Sequence, residues 1–165
     1  MALRNIMEKG EPCLSKHCRP VTDFNAKLHT LLDDMAETLL KANGVGLAAP
    51  QIGVLRRIVV VDLGDEIVEL VNPRILEQSG EQDGLEGCLS VPNRFGLVKR
   101  PSFVKLEAQD RYGDWYEYEG EDLIARCFCH ELEHLDGHLY TERAYRMLTE
   151  EEYEKLMREH GGKVE

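Results

Sequence analysis

The sequence has no apolar run approaching the roughly 20 residues needed to cross a membrane as a helix. Its first ten residues, MALRNIMEKG, also lack the apolar core of a secretory signal, so the expected compartment is the cytoplasm, with no membrane partner. Positive charge is scarce: 20 Lys and Arg stand against 31 Asp and Glu, a net charge of −11. Without a basic stripe to neutralise phosphates, direct nucleic-acid binding is not expected. The five cysteines are Cys13, Cys18, Cys88, Cys127 and Cys129, an odd number that suits reduced thiols or a metal ligand better than a disulfide framework. Cys13 and Cys18 have no second pair at zinc-site spacing and read as small core thiols. The chain has no internal repeat and no low-complexity stretch. What remains, 42% hydrophobic and 31% charged in 165 residues, is ordinary for one soluble domain with a core of its own.

Taken in order, residues 3–20 form an irregular arm punctuated by Gly10, Pro12 and Pro20. From Thr22 or Asp23, the apolar residues Phe24, Leu28, Leu31, Leu32, Met35 and Leu39 recur at helical spacing, and Asn43-Gly44 supplies the stop. Gly44 to Gln51 (GVGLAAPQ) does not fit a nucleotide-binding glycine loop. It reads as the wall of a peptide or ligand cleft, or as a tight turn under the helix. Strands are expected over 57–62 and 67–71, the second ended by Pro73, with a loop over 77–87. Residues 103–108 and 115–118 flank Arg111 to Asp114 as a hairpin. A helix follows Gly120 and runs to Leu135, with Leu123, Cys127, His130 and His134 on one inward stripe. A last helix starts at Thr149, with Glu152 completing a capping box and Gly161-Gly162 as its stop, so that 149–165 is a C-terminal helix and tail to a single domain over 1–165.

The chemistry concentrates in His130-Glu131-Leu132-Glu133-His134. Two imidazoles four apart on a helix lie one turn above each other and can reach one metal ion, with Glu131 beside them to take a proton from water. A catalytic metal usually needs a third protein ligand. The HxxGxxH arrangement fails, because Tyr140 stands where its third His is required. A glutamate from the last helix (Glu150, Glu151, Glu152 or Glu154) stays open, although these residues also suit the first turn of that helix. Cys88, on an irregular loop between glycine and leucine, is the other candidate. Cys127 and Cys129 point about 200° apart on the helix and cannot both face one ion.

Gly44 to Gln51 (GVGLAAPQ), Glu86 to Ser90 (EGCLS) and His130 to His134 (HELEH), in that order, resemble the three signature motifs of the peptide deformylases. The resemblance runs from the GEPCL arm near Gly10 to about Tyr140. It implies an α+β fold, with antiparallel or mixed strands around a central HExxH helix, and removal of the N-formyl group from the initiator methionine of nascent chains, releasing formate. It implies Cys88, His130 and His134 as metal ligands, Glu131 as general acid/base, and Gln51 and the Leu89 N–H as oxyanion donors. Substrate-binding residues on the same grounds are Val45, Gly46, Gly87, Arg126 and Cys127. Gly46 would pair with the peptide like an added strand; Val45, Leu89, Cys127 and the stem of Arg126 would border the methionine pocket. The implied cofactor is one divalent ion per chain, Fe2+ by family, with Zn2+, Ni2+ or Co2+ as substitutes in purified protein. Ligand chemistry alone favours Zn2+ over Fe2+. Glu86 and Arg100 are expected to hold the Cys88 segment.

The sequence departs from the family pattern at Cys129, where Gln is usual, and at Glu133, where Asp is usual. Either changes hydrogen bonding around the ligands. The acidic tail (Glu150, Glu151, Glu152, Glu154, Glu159) is unlike a ribosome-docking basic helix, so transient ribosome association finds no support there. The expected partners are N-formyl-methionyl peptides. A thermolysin-type protease and a zinc-stabilised module without catalysis are the competing readings.

Overall fold

The computed structural model describes residues 2–160. Its organising feature is a five-stranded antiparallel sheet covered on both faces by helices. In chain order the elements are α1 (Ala26–Ala42), β1 (Gly46–Ala48), β2 (Ile58–Asp62), β3 (Ile67–Ser79), β4 (Gln82–Cys88), β5 (Val91–Arg100), β6 (Phe103–Gln109), β7 (Trp115–Glu121), α2 (Asp122–His134), β8 (Arg146–Met147) and α3 (Glu150–His160). The large sheet has the order β1-β2-β3-β6-β7, and a smaller one has the order β4-β5-β8. This is an α+β arrangement around the HExxH helix.

The run Ile58-Val59-Val60-Val61 is apolar at every position because both faces of β2 are covered. Side chains alternate across a strand. Val59 and Val61 join Cys127, Phe128 and Leu132 of α2, together with Leu106 and Ala108 of β6. Ile58 and Val60 face Leu28, Leu32, Met35 and Leu39 of α1. The sheet is therefore fixed from both sides, and α2 is buried where it carries the histidines.

Helix α1 starts later than its apolar spacing suggests. Asn25 caps it, its Oδ1 accepting the Leu28 N–H at 3.1 Å, which leaves Phe24 outside. Asn43 ends it in the left-handed conformation at φ 56°. Two expectations need correction. Pro73 does not end β3; the strand continues to Ser79 through a register shift between Val71 and Arg74, where a residue without an N–H is tolerated. The 77–87 segment is not a loop, since β4 pairs with β5 from Gln82↔Arg100 to Cys88↔Val91. Gly84 has a packing cause: a Cβ there would lie 3.0 Å from Nη2 of Arg126.

Residues 103–109 and 115–121 form the expected hairpin. Along α2, Cys127, His130 and His134 are buried as expected, but Leu123, in the first turn, is 41% exposed. The Thr149 capping box is formed, Glu152 N–H reaching Thr149 Oγ1 and Thr149 N–H reaching Glu152 Oε1, each at 3.1 Å. The Gly161-Gly162 stop lies outside the described residues. Cys18 is buried and Cys13 half-buried, both free thiols. No helix among the described residues is long and apolar enough to cross a membrane.

Candidate metal centre

Three donor atoms meet where the end of β4 passes α2. Cys88, His130 and His134 each bring one ligand atom, all within 4.8 Å of one another. Cys88 Sγ is 3.4 Å from His134 Nε2. The bulge between Glu86 and Cys88 turns the β4 end so that the thiol faces the helix. Helical spacing does the rest: the two rings sit 5.1 Å apart, centre to centre, on one face of α2.

The atoms behind the ligands fix which nitrogen of His130 is available. His130 Nδ1 lies 2.9 Å from the fully buried Glu86 Oε1, which leaves Nε2 as the nitrogen free to coordinate. Glu86 also accepts from Arg100 Nε at 2.8 Å, Arg100 Nη2 at 2.9 Å and Arg126 Nη1 at 2.6 Å. Burial pushes the Glu86 carboxyl up, but the Arg100 and His130 hydrogen bonds and charges win, holding it far below the usual carboxylate range. Burial pushes His134 well below the ordinary imidazole range, reinforced by the charges of His130 and Arg100, so its ring is neutral. A thiol sulfur and two imidazoles, one of them oriented by a carboxylate, fit a tetrahedral divalent-metal site with an open position.

Around this point lies a cavity of about 230 Å3, lined by Val45, Gly46, Gln51, Cys88, Leu89, His130 and Glu131, with Pro92, Asn93 and Phe95 along the outer wall. The Gln51 amide has a fixed orientation. Its Oε1 accepts the Ala48 N–H at 2.9 Å, while Nε2 donates to Ser90 Oγ at 3.1 Å and lies 3.5 Å from Cys88 Sγ. Gly46 must be glycine, because an added Cβ would lie 2.7 Å from Glu131 Oε2 and 2.8 Å from Cys127 Sγ. Glu131 thus lies against the floor of β1, in the same cavity as Gln51 and the ligands.

The site residues read from the sequence are not all together. Val45, Gly46, Gln51, Cys88, Leu89, His130 and Glu131 share the cavity, and His134 completes the donor set from below it. Cys127 is buried beneath Gly46. Gly87 lies inside β4. Arg126 is buried next to Cys127, its guanidinium turned onto Glu86 and the Val98 carbonyl. The two departures from the motif flank this network: Glu133 Oε1 accepts from Arg100 Nη1 at 2.7 Å and a second oxygen pairs with Arg143, while Cys129 is buried on the same side of α2.

Two further residues were not found by sequence reasoning. Ser90 orients Gln51, and its only signal was membership of EGCLS. Tyr140, at the position where a third histidine was sought, stacks on His130 at 5.8 Å and 20°, with its hydroxyl donating to the Arg94 carbonyl at 3.0 Å. A single residue's position after the helix could not have told of that contact.

A thiol and two helix-borne imidazoles around one point, with a carboxylate and a fixed amide in the same cavity, define a mononuclear metal hydrolase. Residues 3–150 match the family model described as polypeptide deformylase. The peptide deformylase of Agathobacter rectalis is 54% identical over 154 residues, covering 93% of this chain and 98% of its own. That of Caldanaerobacter subterraneus subsp. tengcongensis is 51% identical, covering 93% and 97%. The crystal structure of the Thermotoga maritima peptide deformylase superposes with a TM-score of 0.84 at 39% identity, covering 86% of this chain and 97% of that one. The chain belongs to the polypeptide deformylase family. It is accordingly an enzyme of protein biosynthesis, a metal-dependent hydrolase that removes the N-formyl group from nascent polypeptides.

Proposed function

We propose that Cys88, His130 and His134 hold the catalytic ion, that Glu131 is the general acid/base, and that Gln51 Nε2 and the Leu89 N–H receive the oxyanion. The observation that carries this reading is the meeting of the three donor atoms within 4.8 Å, beside Glu131 and Gln51 in one cavity. When bound, the ion supplies Lewis acidity toward the formyl carbonyl and makes water a competent nucleophile near neutral pH. Glu131 accepts the proton of the attacking water and delivers it to the leaving amine nitrogen, giving formate and a free N-terminus. Gln51 and the Leu89 N–H donate to the oxygen on which charge develops, a contribution of about 3–4 kcal/mol for one such donor.

The substrate on this reading is an N-formyl-methionyl peptide. β1 pairs with β2 alone in the large sheet, so its other edge, at Gly46, offers backbone groups to an extended peptide. Val45, Leu89 and the wall around Cys127 border the methionine side chain, with Gly87 behind them. The stem of Arg126 borders the same pocket while its guanidinium binds Glu86. The ion is Fe2+ by family, replaceable by Zn2+, Ni2+ or Co2+ in purified protein. Residues 1–165 form one catalytic domain working in the cytoplasm, and any transient ribosome contact does not use the acidic tail.

Anaerobic purification with metal analysis and a formate-release assay on formyl-Met peptides tests the assignment. Glu131→Ala is expected to keep its metal and lose turnover by about 10²- to 10⁴-fold. Wild-type turnover at equal metal content would remove Glu131 from its role.

A further inference from the structure

The two oxyanion donors belong to separate parts of the fold, Gln51 to the turn after β1 and Leu89 to the turn between β4 and β5. A stabilising dipole works only if it is held in place before charge develops. One link between the segments is the Gln51 Nε2 to Ser90 Oγ hydrogen bond. A second comes from far away in the sequence. The Met7 N–H donates to the Gln51 carbonyl at 2.7 Å, and the Lys9 N–H donates to the Ser90 carbonyl at 2.7 Å. The donors are two residues apart, so a locally extended backbone turns both N–H groups to one side.

The arm that carries them is itself moored. Ala2 N–H and Arg4 Nε bind the two oxygens of the buried Asp34 carboxylate at 2.7 and 2.9 Å, and Arg4 N–H reaches Thr38 Oγ1 at 3.0 Å. On the other side Leu14 is buried, and a Cβ on Gly137 would lie 2.7 Å from the Ser15 carbonyl. The arm is thus fastened to α1 and to the turn after α2, and it crosses both donor segments in between.

We propose that residues 2–10 are a strap that positions the oxyanion donors, with the Met7 and Lys9 N–H groups as its working contacts. This rests on the reading in which Gln51 and the Leu89 N–H receive the oxyanion. Neither residue touches substrate; both act through the peptide planes of Gln51 and Ser90. The ring Met7–Gln51–Ser90–Lys9 closes through main chain on one side and the Gln51–Ser90 side-chain bond on the other.

Met7→Pro and Lys9→Pro each delete one N–H. Each is expected to lower kcat on a formyl-Met peptide by about tenfold, less than the loss of a whole donor, with KM and metal content within about twofold of wild type. In a Gln51→Ala background, Met7→Pro is expected to change kcat by less than about twofold, because the group it positions is gone. If Gln51→Ala turns over like wild type, the oxyanion reading falls and takes the strap with it. If Gln51→Ala is slow but both proline variants match wild type, the strap alone is overturned. Equal losses from Met7→Pro in both backgrounds would make the arm a packing element and also overturn it. Hydrogen exchange on the unaltered protein gives a reading that needs no variant to fold: the Met7 and Lys9 amides should exchange at least about a hundredfold slower than unstructured amides. Unprotected exchange at both would contradict the strap.

Discussion

His130 Nδ1 meets Glu86 Oε1 at 2.9 Å with both side chains buried, so a proposed metal ligand is oriented by a carboxylate that two arginines also hold. The pair joins two motifs 44 residues apart in the chain. It sets the ring's tautomer, and with it the nitrogen that faces Cys88 and His134.

Glu86→Gln should therefore act on the metal before it acts on the substrate. The amide keeps the shape but removes the charge from a pocket containing Arg100 and Arg126. Metal affinity is expected to fall by about 10- to 100-fold in competition with a chelator. Stability should fall by about 3–5 kcal/mol in denaturant unfolding, because buried Arg126 is left without a counter-charge and Arg100 keeps only Glu133. Unchanged affinity would separate Glu86 from the ligand set.

Gly46→Ala tests the packing between β1 and Glu131. The new methyl group would lie 2.7 Å from Glu131 Oε2 and 2.8 Å from Cys127 Sγ, and one of the two must move. The three proposed ligands are untouched, so metal content should hold. A shift of about 1 Å in Glu131 is expected to reduce turnover by about a hundredfold. Wild-type turnover would mean that the carboxylate has room the structure denies it.

The arm's mooring predicts a pH dependence. The Arg4 hydrogen bond, then the Ala2 N–H, hold the Asp34 carboxyl below the usual carboxylate range. A carboxylate with a folded pKa below its unfolded value of about 3.9 contributes stability that is fully present above that value. The contribution is lost as pH falls through the folded pKa. Asp34→Asn should cost about 1 kcal/mol near neutral pH, Arg4 being partly exposed, and the gap from wild type should close on acidification below about pH 4. Parallel stability curves down to the acid transition would contradict the assignment.

Local chemistry was legible in the sequence and long-range contact was not. HELEH carried its own geometry, because spacing along a helix places both imidazoles on one face. Asn43 and the Thr149–Glu152 box likewise ended and began helices by bonds to near neighbours. β4 was hidden because its residues are polar and half-exposed, and Gly84 gives way to an arginine from α2, a reason that exists only in the folded chain. Pro73 read as a terminator because nothing local announced a bulge. The hydrogen bond of Arg126 to Glu86 was concealed by their distance along the chain, 40 residues. The arm's bonds to Gln51 and Ser90, and the stacking of Tyr140 on His130, are contacts of the same kind.

The most direct test of the account is X-ray absorption at the bound metal in the anaerobically purified protein. If Cys88, His130 and His134 are the ligands, a zinc-loaded sample should give one sulfur scatterer at about 2.3 Å and two imidazole nitrogens at about 2.0–2.1 Å. The sulfur should vanish in Cys88→Ala. A first shell of nitrogen and oxygen alone in the unaltered protein would contradict it.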